Sequence, residues 1–190
     1  MSLETERLLL IEWKLSYIID MVEGLNNFET AKNLTVPYPY TEKHAESFIN
    51  KHLQNDENNH YFAIVLKSEN KVIGGTSLEI KQDIKKNKGG IWLNRKYHGQ
   101  GFGTEVWITR AKFAFETLNL NELENGFFEH NEISWKMQQK LGYQIVGKTT
   151  NFCPALNKEV IEIVTKLTKE NFYMATRNNG SNKLTCTMPK

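Results

Sequence analysis

The sequence predicts an α+β fold with a mixed sheet, and two observations support this prediction. Segments with the composition of strands follow one another across short turns, which is typical of antiparallel hairpins. Amphipathic helical segments occur between them without strict alternation, which argues against a doubly wound parallel sheet. The predicted order of elements is β-α-α-β-β-β-α-β-α-β-β.

The first part of the chain predicts one strand and two helices. Residues 7–13 (RLLLIEW) form a strand-like run, and residues 14–26 carry apolar side chains at helical spacing up to a stop signal at Gly24. In the segment 36–53, two prolines exclude a helical start, and Thr41 then supplies a natural N-cap. We interpret its beginning, VPYPY, as an ordered aromatic loop that either walls a binding site or covers the core.

The middle of the chain predicts a hairpin, a short strand and a long helix. Residues 60–66 and 71–80 are strand-like and are joined by KSEN, which has the composition of a hairpin turn. Residues 82–90 look like a basic loop, and residues 91–94 form a short apolar strand. From Thr104 onward, apolar side chains trace one helical stripe.

The last third predicts three strands, one helix and a tail. Residues 122–129, 142–147 and 159–167 are strand-like, and 131–141 is helical with an asparagine at its start as the N-cap. After residue 172 the periodicity is lost, so we expect a single domain over residues 1–172 and a flexible C-terminal tail over 173–190. The length of 190 residues fits this organisation.

Composition and charge exclude several classes of protein. A hydrophobic fraction of 39% is enough for a core, and a net charge of +2 gives no support for binding to nucleic acid. Cys153 and Cys186 lie far apart without a CxxC or a His/Cys cluster, which disfavours a disulfide scaffold and a metal site. Neither a signal peptide nor an apolar run of about 18 residues is visible. We therefore expect a cytoplasmic protein without membrane contact.

A glycine-rich turn between a predicted strand and a predicted helix is the strongest local signal. The stretch RKYHGQGFGTE places Gly99, Gly101 and Gly103 where the helix should begin. The first N–H groups of a helix lack intrahelical acceptors, and glycines remove the Cβ atoms that would keep an anion away. The pattern is typical of a phosphate cradle made of backbone amides, although an ordinary strand–helix turn has the same composition.

Basic residues flank this turn and favour a ligand with several phosphates, although a solvated basic loop is the commoner fate of such a run. They are Lys81, Lys85, Lys86, Lys88, Arg95, Lys96 and His98. The turn lacks the Lys-Ser/Thr of a P-loop. Its glycines have the spacing G-x-G-x-G, so the third glycine of the dinucleotide fingerprint G-x-G-x-x-G is missing. Nucleotide hydrolysis and hydride transfer are therefore disfavoured.

Four stretches together resemble the GNAT acetyltransferases, in particular the type that acetylates the N-termini of ribosomal proteins. They are ETERLLL, VPYPYTEKHAESFI, GIWLNRKYHGQGFGTE and NEISWKMQQKLGY, in that order over about residues 3 to 172. The resemblance implies a mostly antiparallel sheet of about six to seven strands, with a splayed strand pair at the cofactor site. It also implies acetyl-CoA as the donor, a primary amine as the acceptor, and no metal.

The resemblance assigns roles to individual residues. Asn131 falls on the asparagine that contacts the pantetheine, and Ser134 on the serine suggested to protonate the departing thiolate. The other implied cofactor-binding residues lie on the splayed strand and the glycine loop: Trp92, Leu93, Asn94, His98, Gly99, Gln100, Gly101, Phe102, Gly103 and Thr104.

Three positions depart from the family's pattern. His98 stands where the loop usually starts with Gln or Arg, and Gln138 stands where many members have a tyrosine that acts as the acid. The glutamate that often precedes the splayed strand is replaced by Lys88 and Gly89. The position of the general base is therefore open, and we expect Glu79 to be the first candidate, before Glu124, Glu129 and His130.

The missing glutamate favours an acceptor amine that is partly neutral at cellular pH. An α-amino group has a pKa of about 8, whereas a lysine amine near 10.4 needs more help. The most favoured function is direct transfer of an acetyl group from acetyl-CoA to a protein N-terminal α-amine in a ternary complex. A small-molecule amine as acceptor and a non-catalytic CoA-binding module are the alternatives, and the chain is expected to be a monomer or a homodimer.

Overall fold

One mixed sheet is the centre of the fold. The computed structural model describes residues 1–53, 56–81 and 86–178. The strands of these residues are β1 (Ser2–Glu4), β2 (Leu8–Glu12), β3 (Asn59–Leu66), β4 (Lys71–Lys81), β5 (Lys86–Lys88), β6 (Ile91–Leu93), β7 (Glu122–Phe128), β8 (Gln144–Cys153) and β9 (Lys158–Thr168). Their order is β1-β2-β3-β4-β5-β7-β9-β8, with β6 paired to β4 beside this path. Every pairing is antiparallel except the one between β5 and β7.

Helices cover both faces of the sheet. They are α1 (Ile18–Leu25), α2 (Phe28–Ala31), α3 (Glu42–Lys51), α4 (Phe102–Lys112), α5 (Glu132–Lys140) and α6 (Lys169–Asn178), and a π-helical turn at Phe113–Thr117 continues α4. Thr41 caps α3 as predicted, because its Oγ1 accepts the backbone N–H of His44 at 3.4 Å. Asn131 likewise caps α5. None of the described helices has the length and apolarity needed to span a membrane.

Strand β3 shows why the central strands have continuous apolar sequences. Phe62 and Ile64 belong to the core under α4, whereas Ala63 and Val65 belong to the core under α1 and α3. Successive side chains of a strand point to opposite faces, so a strand buried on both faces has no polar alternation. The sheet therefore separates two apolar cores.

The predicted α+β class is confirmed, and the differences concern elements with weak apolar patterns. The sequence missed β1 and α2, and it assigned the range of β5 to a basic loop whose residues 82–85 lie outside the described part. Strand β8 continues six residues past its predicted end at 147, because it lies at the edge of the sheet and is held by its pairing with β9. Backbone pairing with neighbouring strands forms β1, β5 and the end of β8, and it needs no apolar side chains.

The C-terminal boundary also differs from the prediction. Helix α6 extends to Asn178 and so covers residues 173–178, which the sequence assigned to a flexible tail. Phe172 is fully buried against Phe115, and the Tyr173 hydroxyl donates to Glu116 at 2.5 Å. These contacts explain why the helix continues past residue 172, where the sequence predicts a tail. Residues 179–190 lie outside the described part of the chain.

Candidate active site

The glycine loop leads into the N-terminus of α4 with the geometry that the sequence predicts. Gly99 and Gly101 have φ values of +76° and +84°, a region that L-residues other than glycine rarely adopt. Gly101 is the N-cap of α4, and no side chain caps this helix. The first amide groups of α4 are therefore left for an anion.

An ion pair between Arg7 and Glu105, which the sequence did not predict, holds this loop in place. The Arg7 guanidinium donates to Glu105 through Nε at 2.8 Å and to the Gln100 carbonyl through Nη1 at 2.9 Å. The Glu105 carboxylate is nearly buried and also accepts from the Thr5 hydroxyl. The sequence attributed Glu105 to the helix dipole alone, but the structure shows that it also anchors the helix to the start of β2.

Strands β6 and β7 diverge next to the loop, which agrees with the expected splayed pair. The contact between the two halves of the sheet is a parallel pairing of Lys88 with Glu124, and beyond it the described part of β6 pairs with β4 only. Arg110 of α4 keeps the break between β5 and β6 in place by donating to the carbonyls of Ser77 and Gly90, each at 3.3 Å.

The register of β6 determines which of its amides face the gap. Asn94 donates to Ile73 and Ser77 donates to Gly90, so residues 90, 92 and 94 direct their backbone groups toward β4. Alternate residues of a strand face opposite neighbours. The N–H group of Leu93 therefore faces the opening between β6 and β7.

A cavity of about 770 Å³ extends from the glycine loop through this opening to the helices on the other side. Most of the implied cofactor-binding residues line it: Trp92, Leu93, His98, Gly99, Gly101, Phe102, Gly103, Thr104 and Asn131. Ser134 lines it as well. Volume and lining are typical of a small-molecule site.

Three of the predicted site residues do not line the cavity. Asn94 is buried, and its Oδ1 accepts the Lys96 amide at 3.1 Å. Gln100 donates from its side chain to the Lys96 carbonyl at 3.2 Å. Glu79 lies outside the lining and accepts a hydrogen bond of 2.8 Å from the Tyr61 hydroxyl. Asn94 and Gln100 shape the loop, and Glu79 contacts Tyr61, whose side chain lines the cavity.

His98, the departure at the start of the loop, ties the loop to the splayed strand. Its Nε2 lies 3.0 Å from the Leu93 carbonyl oxygen. Because a carbonyl can only accept, Nε2 carries the proton. Nδ1 lies 3.4 Å from the Arg95 guanidinium, which lines the cavity. The imidazole thus holds the backbone of Leu93 in place next to the opening that its amide faces.

A buried chain of hydrogen bonds orients Ser134. The Gln138 side chain is fully buried; its Nε2 donates to the Ser134 Oγ at 3.1 Å, and its Oε1 accepts from Thr165 at 2.6 Å. The shorter distance is typical of an O–H donor and the longer one of an N–H donor, which favours this assignment of the amide oxygen and nitrogen. The Ser134 oxygen therefore already accepts a hydrogen bond, and its proton is left for another group.

Cations surround the loop end of the cavity, but only partly at the predicted positions. Lys96 pairs with Glu23 at 2.5 Å, and Lys88 pairs with Glu124 at 3.2 Å. Arg95 lines the cavity as expected, and α5 adds Lys136 and Lys140, which the sequence analysis did not select. Their signal was the spacing of four along an amphipathic helix that starts at Asn131.

The residues matched by a family model decide the identity of the chain. The model described as acetyltransferase (GNAT) domain matches residues 7–144. The chain belongs to the GNAT acetyltransferase family. It is an acyltransferase with acetyl-CoA as cosubstrate, and the glycine cradle, the splayed strands and the cavity fit that molecule.

Solved structures share the fold of this GNAT protein at low sequence identity. A GNAT-family acetyltransferase from Bacillus anthracis has a TM-score of 0.77 and 20% identity, with 90% of this chain and 99% of that chain covered. Ribosomal-protein-S5-alanine acetyltransferase from Vibrio fischeri has a TM-score of 0.75 and 20% identity, with 90% of this chain and 98% of that chain covered. Spermidine N-acetyltransferase from Vibrio cholerae, in complex with CoA and spermine, has a TM-score of 0.74 and 16% identity, with 88% of this chain and 98% of that chain covered.

The other side chains considered as bases form ion pairs or hydrogen bonds with different parts of this GNAT domain. Glu129 pairs with Lys148 at 3.2 Å, and Glu124 pairs with Lys88. His130 contacts the Lys32 carbonyl through Nε2 at 3.0 Å. Among the described residues, Glu29 is the carboxylate that lines the cavity, and its ion pair with Lys32 at 2.7 Å lowers its pKa.

The tyrosines of the cavity stay protonated at neutral pH. Burial raises the pKa of Tyr40 to about 12, and a hydrogen bond to Glu69 raises that of Tyr97 to about 12. Burial and the neighbouring Glu79 raise the pKa of Tyr61 well above its ordinary value. None of the three can act as a base. In the described part of the chain, no cluster of His, Cys, Asp and Glu has the arrangement of a metal site.

Proposed function

We propose that this GNAT acetyltransferase acetylates the α-amino group of a protein N-terminus by direct transfer in a ternary complex. The observation that carries the proposal is a single continuous cavity, in which an anion cradle, a strand with an outward amide and an oriented serine follow one another. The proposal retains the single catalytic domain and the cytoplasmic location expected from the sequence.

The loop end of the cavity supports donor binding. The amides at the start of α4, with Arg95, Lys136 and Lys140 around them, favour a pyrophosphate. Gly101 and Gly99 allow this backbone geometry at little cost. Bound acetyl-CoA supplies the activated thioester.

The chain's own groups then supply orientation, charge stabilisation and a proton. The Leu93 N–H faces the gap, where it can donate to the thioester oxygen as negative charge develops there. As the C–N bond forms and the C–S bond breaks, Ser134 donates its proton to the leaving sulfur. The proton lost by the amine passes through water and restores Ser134.

The carboxylate found among the described lining residues is already ion-paired, which supports an α-amine as acceptor. Glu29 is ion-paired, and the tyrosines of the cavity are protonated. An amine with a pKa of about 8 is partly neutral without a strong base, whereas a lysine amine is not. A small-molecule amine is the alternative, supported by the likeness to an enzyme named for spermidine.

Measurement of CoA binding and of thiol release tests the proposal. Calorimetry gives the Kd for CoA, and thiol release from acetyl-CoA is followed with peptides that have free N-termini and with small amines. Release with peptides supports the proposal, release with small amines alone favours the alternative acceptor, and CoA binding without any release favours a non-catalytic module.

Two variants separate binding from chemistry in these assays. Gly101→Val should weaken CoA binding by at least tenfold, because a side chain crowds the cradle, whereas Gly147→Val, where a Cβ meets open space, should not. Ser134→Ala should lower kcat by roughly 10²-fold and leave the Kd for CoA unchanged. Wild-type turnover of Ser134→Ala would remove this residue from the mechanism.

A further inference from the structure

The end of the cavity opposite the glycine loop has a distinct aromatic and apolar lining. Trp13, Phe48, Tyr61 and Trp92 line it together with Leu34 and Val36. These residues belong to, or pack against, the core cluster on the α1 and α3 face of the sheet. The lining thus combines residues from α3, β3, β6, the residue that follows β2 and the segment after α2.

The rings of this end form walls at right angles. Trp13 and Phe48 meet edge to face with centroids 6.0 Å apart and an interplanar angle of 89°, and Phe48 and Tyr61 do so at 6.0 Å and 82°. Trp92 lies parallel to Trp13 at 6.5 Å. Such contacts hold the rings in defined positions.

Two glycines seat Trp92 and make this wall rigid. A Cβ on Gly24 would lie 2.4 Å from the Trp92 ring, and one on Gly75 would lie 2.7 Å from Trp92 and 2.8 Å from Trp13. The indole therefore fits between α1 and β4 only because both positions lack side chains. Well-packed side chains with no room to shift are typical of a preformed pocket.

The charges at this end of the cavity do not favour an acceptor that carries a second positive charge beside the reacting amine. Glu29 is the carboxylate among the described lining residues, and it is half-exposed and paired with Lys32. The Tyr61 hydroxyl donates to Glu79, and the Tyr40 hydroxyl contacts the Met21 sulfur at 3.5 Å. Burial of an additional ammonium group without a carboxylate is costly.

From these observations we infer that the acceptor is an α-amine attached to a large apolar or aromatic side chain, such as an N-terminal Leu, Met or Phe. The inference rests on the proposed function and names the substrate class of the same site. The apolar side chain occupies the aromatic end, and its amine lies toward the opening between β6 and β7. Small polar N-terminal residues leave the aromatic end unfilled. Among the described lining residues, the second ammonium group of a polyamine meets one carboxylate, Glu29, which is already paired with Lys32.

A matched set of peptides tests the inference with the full chain. The kcat/KM for acetyl transfer is measured for peptides that differ only in an N-terminal Phe, Leu, Ser or Lys, and for spermidine. Filling an apolar pocket favours Phe and Leu over Ser by roughly 10- to 200-fold. Equal values for all peptides, or a preference for Ser or spermidine, would overturn the inference.

Two variants link the preference to the lining. Phe48→Ser should remove most of the preference for Phe over Ser, whereas Phe28→Ser, on an exposed ring outside the lining, should preserve it. Val36→Glu should raise kcat/KM for spermidine at least tenfold and lower that for the Phe peptide. Unchanged preferences in Phe48→Ser and Val36→Glu, with correct folding checked by circular dichroism, would contradict the assignment.

The outcomes also separate this inference from the proposed function. Acetyl transfer to all N-termini at equal rates leaves the proposed function intact and overturns the specificity alone. CoA binding without transfer to any peptide or amine overturns both.

Discussion

A single buried side chain, Gln138, determines what Ser134 can do. Gln138 stands at a position where many related enzymes have a tyrosine, and the sequence alone indicated a lost acid. In the fold, its amide links Ser134 to Thr165 in a fully buried site. Because Gln138 donates to the serine oxygen, Ser134 is left as a donor toward the cavity. We therefore infer that Gln138 acts as a positioning residue for Ser134.

Gln138→Leu tests this role. The variant removes the donor to Ser134 while Thr165 keeps its contact with the Asn125 carbonyl. We expect kcat to fall about tenfold with little change in the KM for acetyl-CoA, since a complete proton transfer contributes roughly 10²–10⁴-fold. Gln139→Leu, at the exposed neighbouring position, is the control. A fall in both variants would show a general effect on α5.

A buried histidine makes stability depend on pH. His60 is 1% exposed and lies against Phe62 and Phe113, and burial lowers its pKa. In the unfolded chain a histidine titrates at about 6.5, so below this pH the unfolded state binds a proton that the folded state does not. The contribution of His60 to the free energy of unfolding should therefore be constant above about pH 7 and fall as the pH drops below about 6.5.

His60→Phe checks the source of this dependence. Urea unfolding at several pH values should give a smaller slope for the variant than for the wild type. A remaining slope is expected from His52, whose pKa burial also lowers. Identical slopes for the two proteins would contradict the assignment to His60.

At the scale of elements, the start of β2 and the N-terminus of α4 act as one unit. Arg7 binds Glu105 of the helix and the Gln100 carbonyl of the loop, and its guanidinium lies 4.3 Å from the centre of the Phe102 ring. The contact joins residues almost a hundred positions apart, so it is invisible to any local pattern. It explains how a loop with three glycines can keep a defined shape.

Arg7→Met should destabilise the fold and weaken CoA binding. The Glu105 side chain is 7% exposed and would lose the guanidinium while it keeps its hydrogen bond from the Thr5 hydroxyl. Because Arg7 is 42% exposed, we expect a loss of about 1–2 kcal/mol in the free energy of unfolding. The double variant with Glu105→Leu should lose less than the sum of the single variants. Lys148→Met, in an exposed ion pair, is the control and should change stability by less than about 1 kcal/mol.

At the scale of the whole molecule, the donor ligand should stabilise the fold. The loop, the splayed strands and α5 contribute to one cavity, so a ligand that bridges them binds the folded state only. At about 100 times its Kd, CoA should add about 2.7 kcal/mol, which raises the Tm by about 5 to 10 °C. Pantetheine, which lacks the phosphates, should give a much smaller shift at equal concentration. Equal shifts would contradict the phosphate cradle.

The glycine-loop end of the cavity was easier to predict from the sequence than the opposite end, because its backbone conformation depends on residues that are neighbours along the chain. Glycines at 99, 101 and 103 before a helix specify a backbone conformation, and that conformation follows from neighbours in sequence. The strands with strong apolar patterns were predicted for the same reason. Elements held mainly by backbone pairing or by tertiary contacts, such as β5 and α6, left no such pattern.

The amino-acid order alone determined the α+β class, the glycine cradle and the helix that begins there. The fold decided that Glu79 lies behind Tyr61, that Arg7 holds the loop, and that aromatic rings line the end of the cavity opposite the glycine loop. The physical reason is separation along the chain: these contacts join segments whose positions relative to one another are set only when the sheet and its two cores pack together.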